Sequence, residues 1–217
     1  MLRCDTVIFD LDGTLLDTLD DLTDSVNNVL HDLGWPLRSR DEIRLFLGDG
    51  VAKLIQRAVP PGTGPEDTAQ ALALFKRCYA SHMEDQTIPY PGITELLKAL
   101  RKRGCRLAVV SNKFDLAVKR LSEKYFPGLL DAAAGESPSA PKKPAPSMVL
   151  HVMETLGAVH GRTLYVGDSE VDLQTAKNAH LPCASVTWGF REEAFLREHG
   201  AELLIHSPAE LLAWLEK

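Results

Sequence analysis

Thr6-Val7-Ile8-Phe9-Asp10-Leu11-Asp12-Gly13-Thr14 decides how this chain folds. The first four residues make an apolar, β-favouring run short enough for a buried parallel strand, and two acids arrive where that run stops. Chemistry in parallel sheets gathers at the carboxyl ends of strands. Gly13 permits a turn that presents backbone N–H groups toward an anion, while Asp10 and Asp12 project toward the same small volume. Two ionised acids this close repel each other, so either a divalent cation sits between them or one of them holds a proton. The stretch reads as a phosphoryl-transfer site, against the blander alternative of a solvated acidic turn after an edge strand.

Further along, apolar runs that end in polar residues recur at 106–110, 163–166 and 183–186, alternating with amphipathic stretches at 92–103, 116–124, 147–156, 172–179 and 208–215. That alternation predicts an α/β fold, a Rossmann-like doubly wound parallel sheet with helices on both faces. The segment from 17 to about 86 shows helical periodicity throughout and no convincing strand, with loop signals at Gly34-Trp35-Pro36 and across 60–65. It is expected to form an inserted all-helical cap domain over 17–87, suited to act as a lid, with 1–16 plus 88–217 as the α/β core. Ile88-Pro89-Tyr90-Pro91-Gly92 reads as the hinge back into the sheet, and the proline-rich 137–146 as a loop beside the site.

With 217 residues, 45% of them hydrophobic and 25% charged, the chain has ample length for a sizeable core. Its formal net charge of −6 is modest, and basic residues nowhere interleave with aromatics, which argues against nucleic acid as a partner. No opening segment has signal-peptide character, and no run approaches the roughly 18 apolar residues of a membrane span, so no membrane partner is expected and a cytoplasmic location is. Cys4, Cys78, Cys105 and Cys183 are scattered without ligand spacing and read as reduced, mostly buried small residues.

Three more polar groups follow later strands: Ser111-Asn112, Lys143, and Gly167-Asp168-Ser169-Glu170-Val171-Asp172. Singly they have ordinary readings as an N-cap, a solvated lysine and a turn. In order, however, Asp10-x-Asp12-Gly13-Thr14, Ser111-Asn112, Lys143-Pro144 and Gly167-Asp168-x3-Asp172 resemble the four motifs of the haloacid dehalogenase-like (HAD) hydrolase superfamily, over nearly the whole chain. The helical insert resembles the cap of that superfamily's first cap class. Segments 47–54, 90–92 and 186–190 are similar to phosphoglycolate phosphatases in particular.

The resemblance implies roles that the chemistry of each residue suits. Asp10 would be the nucleophile, giving an aspartyl-phosphate that water later hydrolyses. Asp12 would protonate the leaving alkoxide and then deprotonate water, which calls for a proton that burial in a closed site is expected to keep on it. Mg2+ suits the hard oxygens of Asp10, the Asp12 carbonyl and Asp168 better than zinc would. Asp172 would bind metal waters or orient Lys143. Thr14, Ser111, Asn112 and Lys143 would bind the phosphate, Lys143 being preferred over Lys142 through its Lys-Pro pairing. In the cap, Arg44, Gly48, Gly50 and Lys53 are candidates for reading the leaving group. Trp35, Trp188 and Trp214 read as packing residues.

The function so implied is a Mg2+-dependent phosphomonoester hydrolase acting on a small phosphorylated metabolite, with 2-phosphoglycolate first among the candidates. A sugar phosphomutase or a pyrophosphatase is the alternative within the same chemistry. A phospho-receiver signalling domain is the alternative from another class, but it needs neither Asp12 nor a helical insert. A calcium loop lacks its further ligands here, and Asp12 with Asp168 suits phosphate rather than the carbon–halogen cleavage that names the superfamily.

Overall fold

The computed structural model describes residues 2–137 and 141–217, so Pro138, Ser139 and Ala140 of the proline-rich loop lie outside the described residues. Two compact units emerge, one formed by 1–16 with 89–217 and the other by 17–88. The sheet unit begins with β1 (Thr6–Phe9), and the chain leaves it through β2 (Leu16–Asp17). Four helices follow: α1 (Leu19–Asp32), α2 (Arg40–Phe46), α3 (Val51–Ala58) and α4 (Pro65–His82). The chain returns through β3 (Ile88–Pro89), which pairs with β2 in a two-stranded ribbon.

The rest alternates strand and helix as the sequence pattern requires: α5 (Ile93–Lys102), β4 (Arg106–Phe114), α6 (Asp115–Tyr125), β5 (Ala132–Glu136), α7 (Ser147–Leu156) and β6 (Thr163–Gly167). Then come α8 (Glu170–Asn178), β7 (Cys183–Val186), α9 (Glu193–Glu198), β8 (Leu203–Ile205) and α10 (Pro208–Leu215). Six strands pair in the order β5-β4-β1-β6-β7-β8, and every pairing is parallel. The order reverses at β1, between β4 and β6, which is where open α/β sheets leave a crevice beyond their strand ends. The expected doubly wound α/β architecture is the one observed.

Strand alternation explains why the β-rich runs are apolar throughout. Ile8, Ala108, Val110 and Tyr165 pack against Met148, Val149, Val152 and Met153 of α7 and Ala176 of α8. The intervening Val7, Phe9, Leu107, Val109, Leu164 and Val166 are also buried, on the opposite face. β4 runs past its expected end at Val110 to Phe114, and its register against β5 shifts between those two residues. Ser111 and Asn112 therefore lie within an irregular strand end rather than after it. β8 and α9 escaped the sequence pattern because three and six residues are too few for a period to show. No helix among the described residues is long and apolar enough to cross a membrane.

In the helical unit, Leu22, Val26, Val29 and Leu30 of α1 are buried, as are Ala71, Phe75 and Tyr79 of α4, whose two rings stack at 5.5 Å. A capping box of Ser39 and Glu42 starts α2, and Pro65 takes the first turn of α4, where its missing N–H costs nothing. Asp21 is the polar anchor of this unit. It is buried at 2% exposure and accepts hydrogen bonds from the backbone N–H of Gln86 (2.8 Å) and of Thr87 (2.9 Å) and from the Thr87 hydroxyl (2.7 Å). Those bonds fasten the returning segment to α1. Asp21→Ala, which strands these buried donors, is expected to lower the unfolding free energy by about 2–3 kcal/mol, measured by urea denaturation.

Candidate active site

The carboxyl ends of β1, β4 and β6 bring the motif residues together. Asp10 continues the β1–β6 ladder through its N–H to the Val166 carbonyl (2.9 Å), which sets its side chain at the sheet's switch point. Its Oδ1 accepts from the Leu11 N–H at 2.7 Å and lies 2.9 Å from Lys143 Nζ. The same ammonium donates to Asp172 Oδ1 at 2.8 Å and to the Tyr165 hydroxyl at 3.2 Å, and that hydroxyl donates in turn to Asp172 Oδ1 at 3.1 Å. Asp172 also takes part in the capping box that opens α8, accepting from the Ser169 N–H (3.1 Å) and hydroxyl (2.6 Å) through Oδ2. The buried Asp172 carboxylate and the buried Lys143 ammonium thus form an ion pair.

Asn112 explains how a lysine on a proline-rich loop reaches this point. Its side-chain carbonyl accepts from the Lys143 N–H at 2.7 Å, and its side-chain N–H donates to the Lys143 carbonyl at 3.0 Å. The amide reads one residue's backbone at both ends, which fixes Lys143 while Lys142 beside it stays half-buried.

Asp168 is held by donors on both oxygens, the Thr14 hydroxyl at 3.1 Å on Oδ1 and the Phe190 N–H at 2.7 Å on Oδ2. Thr14, expected at the phosphate, has its hydroxyl on this carboxylate. The loop after β7 is drawn in closely enough that it tolerates no side chain at Gly189: a Cβ there would stand 2.3 Å from the Gly13 carbonyl and 2.4 Å from Asp168 Cβ. Gly13, at φ +83°, has the same constraint from the other side, with Asp168 Oδ2 at 2.3 Å from its own missing Cβ. Trp188 completes the packing by donating from Nε1 to the Thr14 carbonyl at 3.0 Å, and Arg191 pairs with Glu170 at 2.9 Å.

Asp10, Asp168 and Asp172 thus converge, one oxygen of each lying within 4.8 Å of the others, and all three are buried. Burial pushes the Asp10 carboxyl up to about 7, Lys143 working against the shift and Asp172 and Asp12 adding to it. Asp168 is pushed well up by burial and then by the charges of Asp172 and Asp10. Burial disfavours the Lys143 ammonium, but Asp10 and Asp172 outweigh it and hold the charge on. A set of hard carboxylate oxygens that the chain alone leaves short of positive charge fits a hard divalent cation.

Asp12 has a different setting. Its side chain is 19% exposed rather than enclosed, and both its oxygens accept from the buried ammonium of Lys113, at 2.8 and 3.0 Å. The sequence expectation for this acid names burial in a closed site; the lysine partner is an addition to it. Ser111, two residues before that lysine, is buried, its hydroxyl accepting from the Lys113 N–H at 3.3 Å. Lys113, Tyr165 and Arg191 are the site residues that sequence reasoning missed, and the segment 186–190, marked by its resemblance, had no part in holding Asp168 assigned to it. Lys113 alone carried a signal, a cation directly after Ser111-Asn112 at a strand end.

Arg44, Gly48, Gly50 and Lys53 belong to the helical unit. Arg44 lies 3.9 Å from Asp41 on α2, Lys53 donates to Gln56 at 2.9 Å, and Gly48 and Gly50 flank the Asp49 that pairs with Arg57.

A family model described as haloacid dehalogenase-like hydrolase matches residues 7–186. A phosphoglycolate phosphatase of Pseudomonas syringae is 34% identical over 217 residues, covering 97% of this chain and 77% of its own. A crystal structure of a candidate phosphoglycolate phosphatase from Lactobacillus delbrueckii superposes with a TM-score of 0.94 at 36% identity, with all of both chains covered. CbbY from Rhodobacter sphaeroides, solved in complex with phosphate, superposes with a TM-score of 0.80 at 27% identity, with 99% of this chain and 100% of that one covered.

The buried charges link stability to pH. Asp10 ordinarily loses its proton near 4 but keeps it to about 7 when folded, so its favourable contribution is present at low pH and is lost as pH rises through 7. Removing the lysine deepens that loss. In chelator, Lys143→Met is expected to lower the unfolding free energy by about 3–5 kcal/mol at pH 8 and by clearly less at pH 5, measured by urea denaturation at both.

Proposed function

The chain belongs to the haloacid dehalogenase-like hydrolases and is a phosphatase, and we propose that it hydrolyses 2-phosphoglycolate, a small cytoplasmic phosphomonoester, through a covalent phosphoryl group on Asp10. The convergence of Asp10, Asp168 and Asp172, with the Lys143 ammonium on two of them, carries this reading. A nucleophilic carboxylate needs a free oxygen aimed at phosphorus and positive charge nearby to admit a phosphate dianion. The substrate rests on relatives named phosphoglycolate phosphatase and on the similar segments at 47–54, 90–92 and 186–190.

The chain's own residues divide the work. Asp10 forms an O–P bond as the bond from phosphorus to the leaving oxygen breaks, and Asp12 gives that oxygen a proton. Asp12 then takes a proton from water as the water attacks phosphorus, the Asp10 O–P bond breaks and inorganic phosphate leaves. Lys143 offsets charge at Asp10 and on the phosphoryl oxygens, and the buried Ser111 hydroxyl is assigned to one of those oxygens. Thr14 is assigned to holding Asp168, and Asn112 to holding Lys143. A magnesium ion bound by Asp10, Asp168 and the Asp12 carbonyl would supply the positive charge that these acids and a phosphate dianion otherwise lack. The helical unit is assigned the part of the family's cap, with Arg44, Gly48, Gly50 and Lys53 as its substrate-reading residues.

A phosphate-release assay with magnesium over 2-phosphoglycolate, pyrophosphate and sugar phosphates tests the assignment. The expected result is turnover of 2-phosphoglycolate, abolished by chelator and lowered more than about a thousandfold by Asp10→Asn with the fold intact by circular dichroism. Isomerisation of glucose 1-phosphate without phosphate release would point to a mutase instead.

The same site predicts a proton linkage. Because Asp10 holds its proton up to about pH 7 without metal, magnesium affinity is expected to fall as pH drops through 7. Binding should release protons below that point, measured as calorimetric enthalpies that differ between buffers of different protonation enthalpy.

A further inference from the structure

We infer that Lys113 is a positioning residue that holds the Asp12 carboxyl in one orientation for proton transfer to and from the leaving-group side of the reaction. This role rests on the acid–base reading of Asp12 given above. Lys113 is 3% exposed, a rare state for a lysine, and a buried ammonium is tolerated only where a partner meets its charge. Its Nζ bridges both carboxylate oxygens of Asp12, at 2.8 and 3.0 Å. A carboxyl gripped at both oxygens cannot turn about its terminal torsion, which is otherwise broad.

The fold builds this grip deliberately. Val110 of β4 faces Ala134 of β5, and Phe114 faces Glu136, so residues 111–113 advance against the single residue Gly135. In a regular strand Asn112 and Lys113 would point to opposite faces of the sheet. The irregularity lets both serve one site: the Asn112 amide reaches the Lys143 backbone while the Lys113 ammonium reaches Asp12. Gly135 permits it, since a Cβ there would stand 2.6 Å from the Lys113 carbonyl oxygen. Each acid of the Asp10-x-Asp12 pair therefore has its own buried lysine, and the two lysines are tied to each other through Asn112.

Chemistry offers a readout that a merely structural lysine would not move. An alkoxide leaving group needs a proton from Asp12, whereas the acetate leaving from acetyl phosphate is stable as an anion and needs none. Asp12 also takes the proton from water in the later hydrolysis of the Asp10 phosphoryl group, a step common to both substrates. The contrast is therefore read in kcat/KM, which reports only the steps up to release of the leaving group. There a residue that acts through Asp12 must matter for the first substrate and hardly at all for the second.

The experiment measures kcat and KM of the full chain with magnesium on acetyl phosphate and on an alkyl phosphate, 2-phosphoglycolate or, where the wild type does not turn that over, glycerol 3-phosphate. Lys113→Met is expected to lower kcat/KM on the alkyl ester about thirtyfold or more, with kcat/KM on acetyl phosphate within about threefold of wild type. Lys113→Arg, which keeps a cation at the same place, is expected to show the same bias at smaller size, and it carries the test should the methionine variant not fold. Equal losses of kcat/KM on both substrates would overturn the inference, as would a rise in KM on the alkyl ester with kcat unchanged. Asp12→Asn separates this failure from that of the underlying reading. If it shows the leaving-group bias and the Lys113 variants do not, the positioning role alone falls; if it shows none, the acid–base assignment of Asp12 falls and the role of Lys113 with it.

Discussion

A single buried ammonium, that of Lys143, makes the rest of this site possible. Asp10 and Asp172 are both within 2.9 Å of it, and each would otherwise stand in a low-dielectric interior with no countercharge. Asp168 adds a third buried carboxyl to the same volume. One cation among three acids leaves the cluster short of positive charge, and burial pushes the carboxyls of Asp10 and Asp168 up. That deficit is a property of the folded chain before any ligand arrives. It is also the reason the cluster suits a metal and a phosphoryl group, which are welcome only where the chain has not already balanced itself.

A site of this kind depends on rigid support, and the sheet supplies it at a point where the chain also detours through a whole helical unit. The detour leaves the sheet unit undisturbed because its ends are closed locally. The Tyr90 N–H donates to the Leu15 carbonyl at 3.1 Å, so the two edges of the gap are joined by the sheet unit's own backbone. Within the helical unit, Asp21 does the corresponding work on 86 and 87. Insertions succeed where the flanking ends already lie side by side, and both units here meet that condition by hydrogen bonding rather than by packing alone.

What could be read from sequence divides along a physical line. The strands β1, β4, β6 and β7 were legible because apolar β-favouring runs ended in polar residues, and the parallel sheet followed. Asp10, Asp12, Asp168 and Lys143 were legible because family spacing and chemistry agreed. Lys113 was not, because its role comes from a register shift in β4 that no periodicity announces. The segment 186–190 stood out by resemblance, but its hold on Asp168 was not legible, because it acts through a backbone N–H and a missing Cβ rather than through a functional side chain. Thr14 and Asn112 looked like phosphate donors since hydroxyls and amides at strand ends often are. Their side chains bond Asp168 and the Lys143 backbone, partners that need distances rather than residue types to find.

The two acids two residues apart in β1's trailing turn therefore differ in a way their spacing conceals. Asp12 has a buried lysine bound to both its oxygens. Asp10 shares its lysine with Asp172 and faces Asp168 as well. Identical side chains on one short segment thus acquire unequal surroundings, and it is the acid assigned to attack phosphorus whose charge the protein leaves incompletely offset. The acid assigned to the proton needs a fixed orientation more than it needs a cation from outside, and the geometry at Lys113 supplies that from within the chain. The same sheet end can in this way hold one carboxyl open to an incoming phosphoryl group while keeping its neighbour in place.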